Sequence, residues 1–408
     1  MKKTIEKRYL IFLILFYLLI FQTPLSSALS FFGYTDELIA AFAIPLFIIE
    51  LKQRNFVLYK TKCGYAWLIF FFLIVGCLGN IIYKFQPVLT VALPSLFLSI
   101  KFWLAVYTGD KLFRRLNIQK HAGNIYLHIK FIIFMFCILL AVDNLVHIFP
   151  ANIRYGLRSS QLFYGVPTGF AAICAFLFSL LTIVRPYVKK TGKWYVALAI
   201  LMVSTLRSKA FAAVLAFGLI YYFTYIRQKK ITVKTLILFV PLAVFMVQDQ
   251  IEYYFFSDIQ LDSARYQLLI ASIKIMKDYF PIGTGFGTFG SYMSAKSYSP
   301  LYQMYGISNV NGLVKDAAYF VSDSFWPMIA GETGIIGLIA IIAVICLMVI
   351  KIQKIKRYDK GMYASGLMAM AYLLIVSMAE SAFVNPVAIP FALVLGMIYG
   401  QDEKNQGI

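Results

Sequence analysis

The chain has 408 residues, of which 61% are hydrophobic and 14% charged, where a soluble domain averages about 45–50% and about 25%. No water-soluble surface could wet that much apolar area, so a soluble globular protein is excluded and the length reads as a count of membrane spans. The net charge of +20 is cut into short clusters between apolar runs instead of forming a stripe on one folded face, which excludes nucleic acid as the partner.

The expected fold is all-α and polytopic, with about 12 transmembrane helices. The first apolar run, 9–28, follows Lys2, Lys3, Lys7 and Arg8. Ser26-Ser27-Ala28 gives it the look of a secretory signal peptide, but it reads better as an uncleaved first span. The runs that follow are 38–51, 65–83, 87–107, 129–149, 167–184, 194–206, 211–226, 236–247, 325–350, 362–379 and 387–399. The seventh, ninth and twelfth of the set are short for a bilayer.

Orientation follows from the positive-inside rule. With the N-terminus inside, the cytoplasmic segments are 1–8, 52–64, 108–130, 185–193, 227–235, 351–361 and 400–408, and they hold 27 of the 38 Lys and Arg residues. A missed or invented span would break this alternation, so it supports the count together with a topology in which both termini are cytoplasmic. The chain then divides into a membrane domain of spans one to nine (1–247), an outer loop (248–324) and a membrane domain of spans ten to twelve (325–408).

Cys63, Cys77, Cys137, Cys174 and Cys346 all fall in spans or on the inner side, so no disulfide framework is expected. No CxxC or His-x-x-x-His spacing points to a metal.

Two outer segments are longer than connectors, 150–166 and 248–324. A loop as long as the second should hold elements of its own, and such loops usually carry function. In it Asp262-Ser263 can cap a helix with Leu268, Leu269, Ile273 and Met276 at helical spacing. That helix is expected to lie flat on the membrane surface and to end before Pro281. Gly285, Gly287 and Gly290 spell GxGxxG, but no strand or βαβ unit accompanies them, so they read as a tight turn that brings backbone close to other backbone or to a ligand.

Of the eleven arginines, seven sit at inside segments, whereas Arg154, Arg158, Arg207 and Arg265 stand on the outer side against the bias. Arg207 lies at the tip between two apolar runs, where a cation needs a partner or a wet cavity. Arginine's planar fork holds phosphate oxygens in pairs, so several converging on one cavity would suit a diphosphate carried on a lipid. The bland alternative pairs each with Asp258, Asp262, Asp316 or lipid headgroups. Among the acids, Asp323 stands just before the tenth span and Glu332 about two turns into it. A carboxylate at that depth should face the protein interior, as a base or as a structural anchor. Glu380 at the outer end of the eleventh span is a weaker candidate, and Asp143 and His147 share a helix face.

Three stretches carry a resemblance. They are Ser204-Thr-Leu-Arg207-Ser-Lys-Ala between two spans; Arg265-Tyr-Gln followed by Pro281-Ile-Gly-Thr-Gly285-Phe-Gly287-Thr-Phe; and Asp323-Ser-Phe-Trp-Pro followed by Gly331-Glu-Thr-Gly334-Ile-Ile-Gly337-Leu. In this order and on this side of the membrane, they resemble the bacterial O-antigen polymerase and O-antigen ligase family, the Wzy-type and WaaL-type proteins. The motifs cover roughly residues 195–340, and elsewhere only topology is shared.

The resemblance implies glycosyl transfer between lipid-linked sugars on the outer face of the bacterial plasma membrane, without a metal or other cofactor. Arg207 and Arg265 would hold the donor's undecaprenyl diphosphate, with Asp323 and Glu332 completing the catalytic set. Arg154, Arg158, Gly285 and Gly287 would contact diphosphate or glycan. Partners would be lipid-linked oligosaccharides and membrane lipids, with a chain-length regulator and a flippase as associated proteins. Ligases usually carry a histidine just before the tenth-span motif, and Asp323-Ser324 stands there instead. The first reading is therefore a repeat-unit polymerase for O-antigen, capsule or exopolysaccharide, ahead of the ligase. A flippase for lipid-linked oligosaccharide comes third, since it would need charges along a central path and only short loops.

Overall fold

The computed structural model describes residues 6–53, 64–229 and 263–405. Apart from one two-stranded hairpin and an isolated bridge, these residues form helices, turns and loops. Among them eight helices are long and apolar enough to cross a membrane: Ser30–Lys52, Tyr65–Tyr83, Val88–Phe113, Ile118–Val146, Pro167–Tyr187, Ser208–Ile226, Phe325–Ile355 and Lys360–Ser377. Two more apolar helices, Gly192–Val203 and Pro386–Asp402, are shorter. This is the architecture of a multi-pass membrane protein. The expected ninth span, 236–247, lies outside the described residues, as do Asp258, Asp262 and Cys63.

The first run is not one straight span. Helices α1 (Lys7–Ile20) and α2 (Gln22–Ala28) meet at 71°. Pro24 has no N–H to donate to the Ile20 carbonyl, which bends a helix there. That carbonyl instead accepts the Tyr164 hydroxyl at 2.9 Å. Helices α3 (Thr35–Ala41) and α4 (Ala43–Gln53) follow, then α5 (Gly64–Tyr83) and α6 (Leu93–Phe113). Lys101 of α6 is 1% exposed and pairs with the fully buried Asp36 of α3, with Glu37 adding a second carboxylate at 3.4 Å. An isolated ammonium could not be buried here, so the pair pins α3 to α6.

Helix α7 (Ile118–Val146) begins at Asn117, whose side chain accepts the Lys120 amide at 3.0 Å. The hairpin β1 (Ile153–Arg154) and β2 (Leu157–Arg158) then turns through Tyr155 and Gly156, both at positive φ. Helix α8 (Pro167–Val184) is apolar on every side and almost wholly buried, the mark of a central helix. It packs against α7, against α9 (Gly192–Val203) and against a later helix, Lys360–Ser377. Next comes α10 (Ser208–Tyr221).

Residues 263–324 have a small core of their own. Helix α11 (Ala264–Asp278) buries Ala264, Leu268, Ala271 and Ile275 against Phe289, Leu301, Tyr302, Ile307, Leu313 and Val321. The expected stripe through Ile273 is therefore corrected, since Ile273 is 49% exposed and the alanine-bearing face, one step round the helix, turns inward. Small residues let α11 approach its neighbours closely. The chain ends with α12 (Phe325–Ile355), α13 (Lys360–Ser377) and α14 (Ile389–Asn405). Helices α6 and α14 run backbone against backbone, because Gly109 faces the Leu393 main chain and Gly396 faces the Val106 carbonyl.

Candidate functional site

The glycine-rich turn and α12 are built into each other. Within α12, Gly334 has φ 62° and ψ −164°, a combination essentially closed to residues with a side chain, and the helix breaks there. The Ile336 amide, which an unbroken helix would give to the Glu332 carbonyl, donates to the Pro281 carbonyl at 3.3 Å. In exchange, the amides of Thr284 and Gly285 donate to the carbonyls of Gly331 (3.1 Å) and Glu332 (2.8 Å). The turn thus supplies the hydrogen bonds that the break removes.

Glu332 completes the join. Its side chain is buried, and its Oε1 accepts the amides of Gly287 (2.9 Å), Thr288 (3.1 Å) and Phe289 (3.4 Å). Successive N–H groups converging on one oxygen make an anion nest, here filled by the protein's own carboxylate. From the other side, the Asn80 side chain of α5 both donates to the Phe286 carbonyl (2.9 Å) and accepts the Phe286 amide (2.8 Å). Gly79 permits this approach, since a Cβ there would overlap the Gly285 backbone. The tight-turn reading of Gly285 and Gly287 therefore holds, with backbone as the neighbour. Both glycine amides are spent on Glu332.

At the N-terminal end of α12 lies a cluster of charges drawn from four segments. Arg265 on α11 reaches Asp323 with Nη2 3.1 Å from Oδ2, each side chain about a quarter exposed. Lys209 on α10 pairs with Glu380, just beyond α13. The two acidic segments are tied together where the Ser381 hydroxyl donates to the Ser322 carbonyl at 2.6 Å. Burial raises the Asp323 carboxyl above its ordinary range. Arg265 pulls it back down, Glu380 adds to the rise and Lys209 opposes it. Two cations and two carboxylates thus share one half-buried site.

Arg207 stands at the N-cap of α10, two residues before Lys209. The tip that carries it is fastened to the hairpin segment, because Ser159 donates its hydroxyl to the Thr205 carbonyl (2.7 Å) and the Ser160 amide donates to the Ser204 carbonyl (3.0 Å). Arg158 is committed elsewhere: its Nη2 lies 3.2 Å from the buried Asp143 and also donates to the Phe149 carbonyl. Asp143 accepts the Phe149 amide as well, while His147 closes α7 in the left-handed region with its amide on the Asp143 carbonyl. Asp143, His147 and Arg158 are therefore joined as a clip that holds the hairpin to α7. Arg154 ends β1 between the exposed Ile153 and Tyr155, and among the described residues it has no ion pair.

Sequence reasoning singled out Arg265, Asp323, Glu332 and, as a weaker candidate, Glu380 without pairing any of them, and it missed Lys209 and Asn80. A lone asparagine at the end of an apolar run, and a lysine two residues from an arginine at a span tip, were the available signals. Among known proteins, no family model and no curated relative matches the chain.

Proposed function

We propose that this chain is a polymerase of lipid-linked oligosaccharide repeat units for a bacterial surface polysaccharide. It transfers the growing glycan from undecaprenyl diphosphate to the next lipid-linked unit. The observation that carries this reading is the cluster in which Arg265, Lys209, Asp323 and Glu380 meet, beside the tip that presents Arg207. The resemblance of its motif order to that of O-antigen polymerases and ligases supports this reaction class. Asp323-Ser324, in place of the histidine usual in ligases, favours the polymerase.

In this reading the chain crosses the bacterial plasma membrane about twelve times, with both termini cytoplasmic and the charge cluster on the outer face. Every second loop being basic supports that orientation. In the reaction an acceptor hydroxyl oxygen forms a bond to the donor sugar's C1, the bond from C1 to the diphosphate oxygen breaks, and undecaprenyl diphosphate leaves with the electron pair. Arg207 and Arg265 neutralise charge as it builds on the leaving group, which lowers the barrier where it matters. Asp323 takes the acceptor proton in this reading. Glu332 is a positioning residue, since its contacts hold the turn against α12.

The test is reconstitution of the purified chain into vesicles with lipid-linked repeat units, followed by resolution of the products by length. The reading expects a ladder of polymers. Movement of intact lipid-linked units across the bilayer, with no ladder, would replace it with a flippase.

A further inference from the structure

The charge cluster is already self-neutralised. Each of its two paired cations, Arg265 and Lys209, has a carboxylate as its partner. Asp323 and Glu380 come from segments far apart in sequence, and the Ser381–Ser322 hydrogen bond holds them together as one acidic face opposite the two cations.

We propose that Asp323 and Glu380 are internal stand-ins for the donor diphosphate, which displaces them from Arg265 and Lys209 and leaves a carboxylate that takes up a proton. The proposal rests on the reading of the cluster as the donor site, and it adds Lys209 to that site as a phosphate-binding cation.

The physical argument is one of charge balance. Half-buried cations without counter-ions are costly, so the fold supplies its own anions. A prenyl diphosphate brings two linked phosphates, matching two neighbouring cations, and arginine accepts phosphate and carboxylate with the same fork. With the diphosphate bound, the two carboxylates would face it as like charges at close range, which is relieved by moving away or by protonation. The groups that face Asp323 are Arg265 from α11, Lys209 from α10 and Glu380 from the end of α13. Once the two cations are occupied by phosphate, both attractive partners are lost and the repulsive one remains. Burial already favours the neutral form of Asp323. The proton comes from solvent when the diphosphate binds alone. With an acceptor already in place, Asp323 takes the acceptor hydroxyl's proton instead of a solvent proton, so the base is the ionised carboxylate with its proton affinity raised by the bound donor.

The experiment is calorimetric titration of the full chain in detergent with farnesyl diphosphate at neutral pH. Titrations in two buffers of different ionisation heat yield the number of protons taken up. Wild-type protein should take up more protons per ligand than the double variant Asp323→Asn/Glu380→Gln, a comparison that cancels the ligand's own protonation. The double variant should bind about fivefold more tightly, because about 1 kcal/mol of internal competition is gone. Wild-type protein alone provides a second reading: its affinity should keep falling as the pH is raised beyond the range in which the free diphosphate titrates. Equal uptake in both proteins, weaker binding by the double variant, or a flat wild-type affinity would each overturn the proposal. If binding is abolished by Arg265→Ala yet ignores the carboxylates, the donor-site reading stands and this inference fails. If wild-type protein binds no diphosphate, both fail.

Discussion

Glu332 Oε1 lies 2.9 Å from the Gly287 amide nitrogen and takes two further amides of the same turn. This one contact joins a turn and a broken helix that are 45 residues apart in sequence. Glu332 caps the turn as a ligand would, and the cluster around Asp323 sits at the start of the helix so fixed.

Replacement of Glu332 by alanine would leave three buried N–H groups without an acceptor. The expected cost is about 3 kcal/mol or more. Glu332→Gln keeps an acceptor oxygen and should lose distinctly less. Thermal unfolding of the detergent-purified variants measures both, and equal stability of Glu332→Ala and wild type would remove the capping role.

Asn80→Ala deletes the two hydrogen bonds that clamp Phe286 from α5, at a cost of about 2 kcal/mol. Gly285→Ala should be worse. Its φ is 97°, and its Cβ would overlap Asn80. Limited proteolysis of residues 263–324 in membranes should report both, with Gly285→Ala cut faster than Asn80→Ala and wild type cut slowest.

The elevated Asp323 carboxyl fixes the sign of a pH dependence. If the reaction needs Asp323 ionised, the rate should rise with pH through a midpoint above the ordinary aspartate value of 3.8. For stability the direction is opposite. The folded chain keeps this proton to a higher pH than the unfolded chain does, so the contribution of Asp323 to stability declines as pH rises through that window. Asp323→Asn should flatten the stability change over the same window and, by removing the base, depress the rate throughout. Rate and unfolding profiles against pH, measured for both proteins, check the two signs separately.

Much of the bundle was legible in the sequence because an apolar run of span length has few alternatives. Tyr65–Tyr83 and Pro167–Tyr187 were found at or near their observed limits, whereas the run expected at 129–149 is part of a helix that already starts at Ile118. The 71° bend between α1 and α2 was not foreseen, although Pro24 announces it, because hydropathy is blind to the loss of a single N–H donor. At the site, arginines against the charge bias and a carboxylate inside a span were visible as types. Their partners were not. Arg265 and Asp323 lie 58 positions apart, Lys209 and Glu380 171, and Asn80 and Phe286 206. Such pairings are set by how helices pack, which no local pattern encodes. The same holds for Lys101 and Asp36, an ordinary lysine and aspartate until α3 and α6 are placed side by side.

The most direct test of the central claim is the length of product made from lipid-linked repeat units by wild type, Arg207→Ala, Arg265→Ala and Lys296→Ala at matched levels of membrane insertion. Lys296 is an exposed cation in the same 263–324 segment, outside the charge cluster. The account predicts that the polymer ladder vanishes in both arginine variants and persists in Lys296→Ala. A ladder of equal length from all four proteins would contradict it.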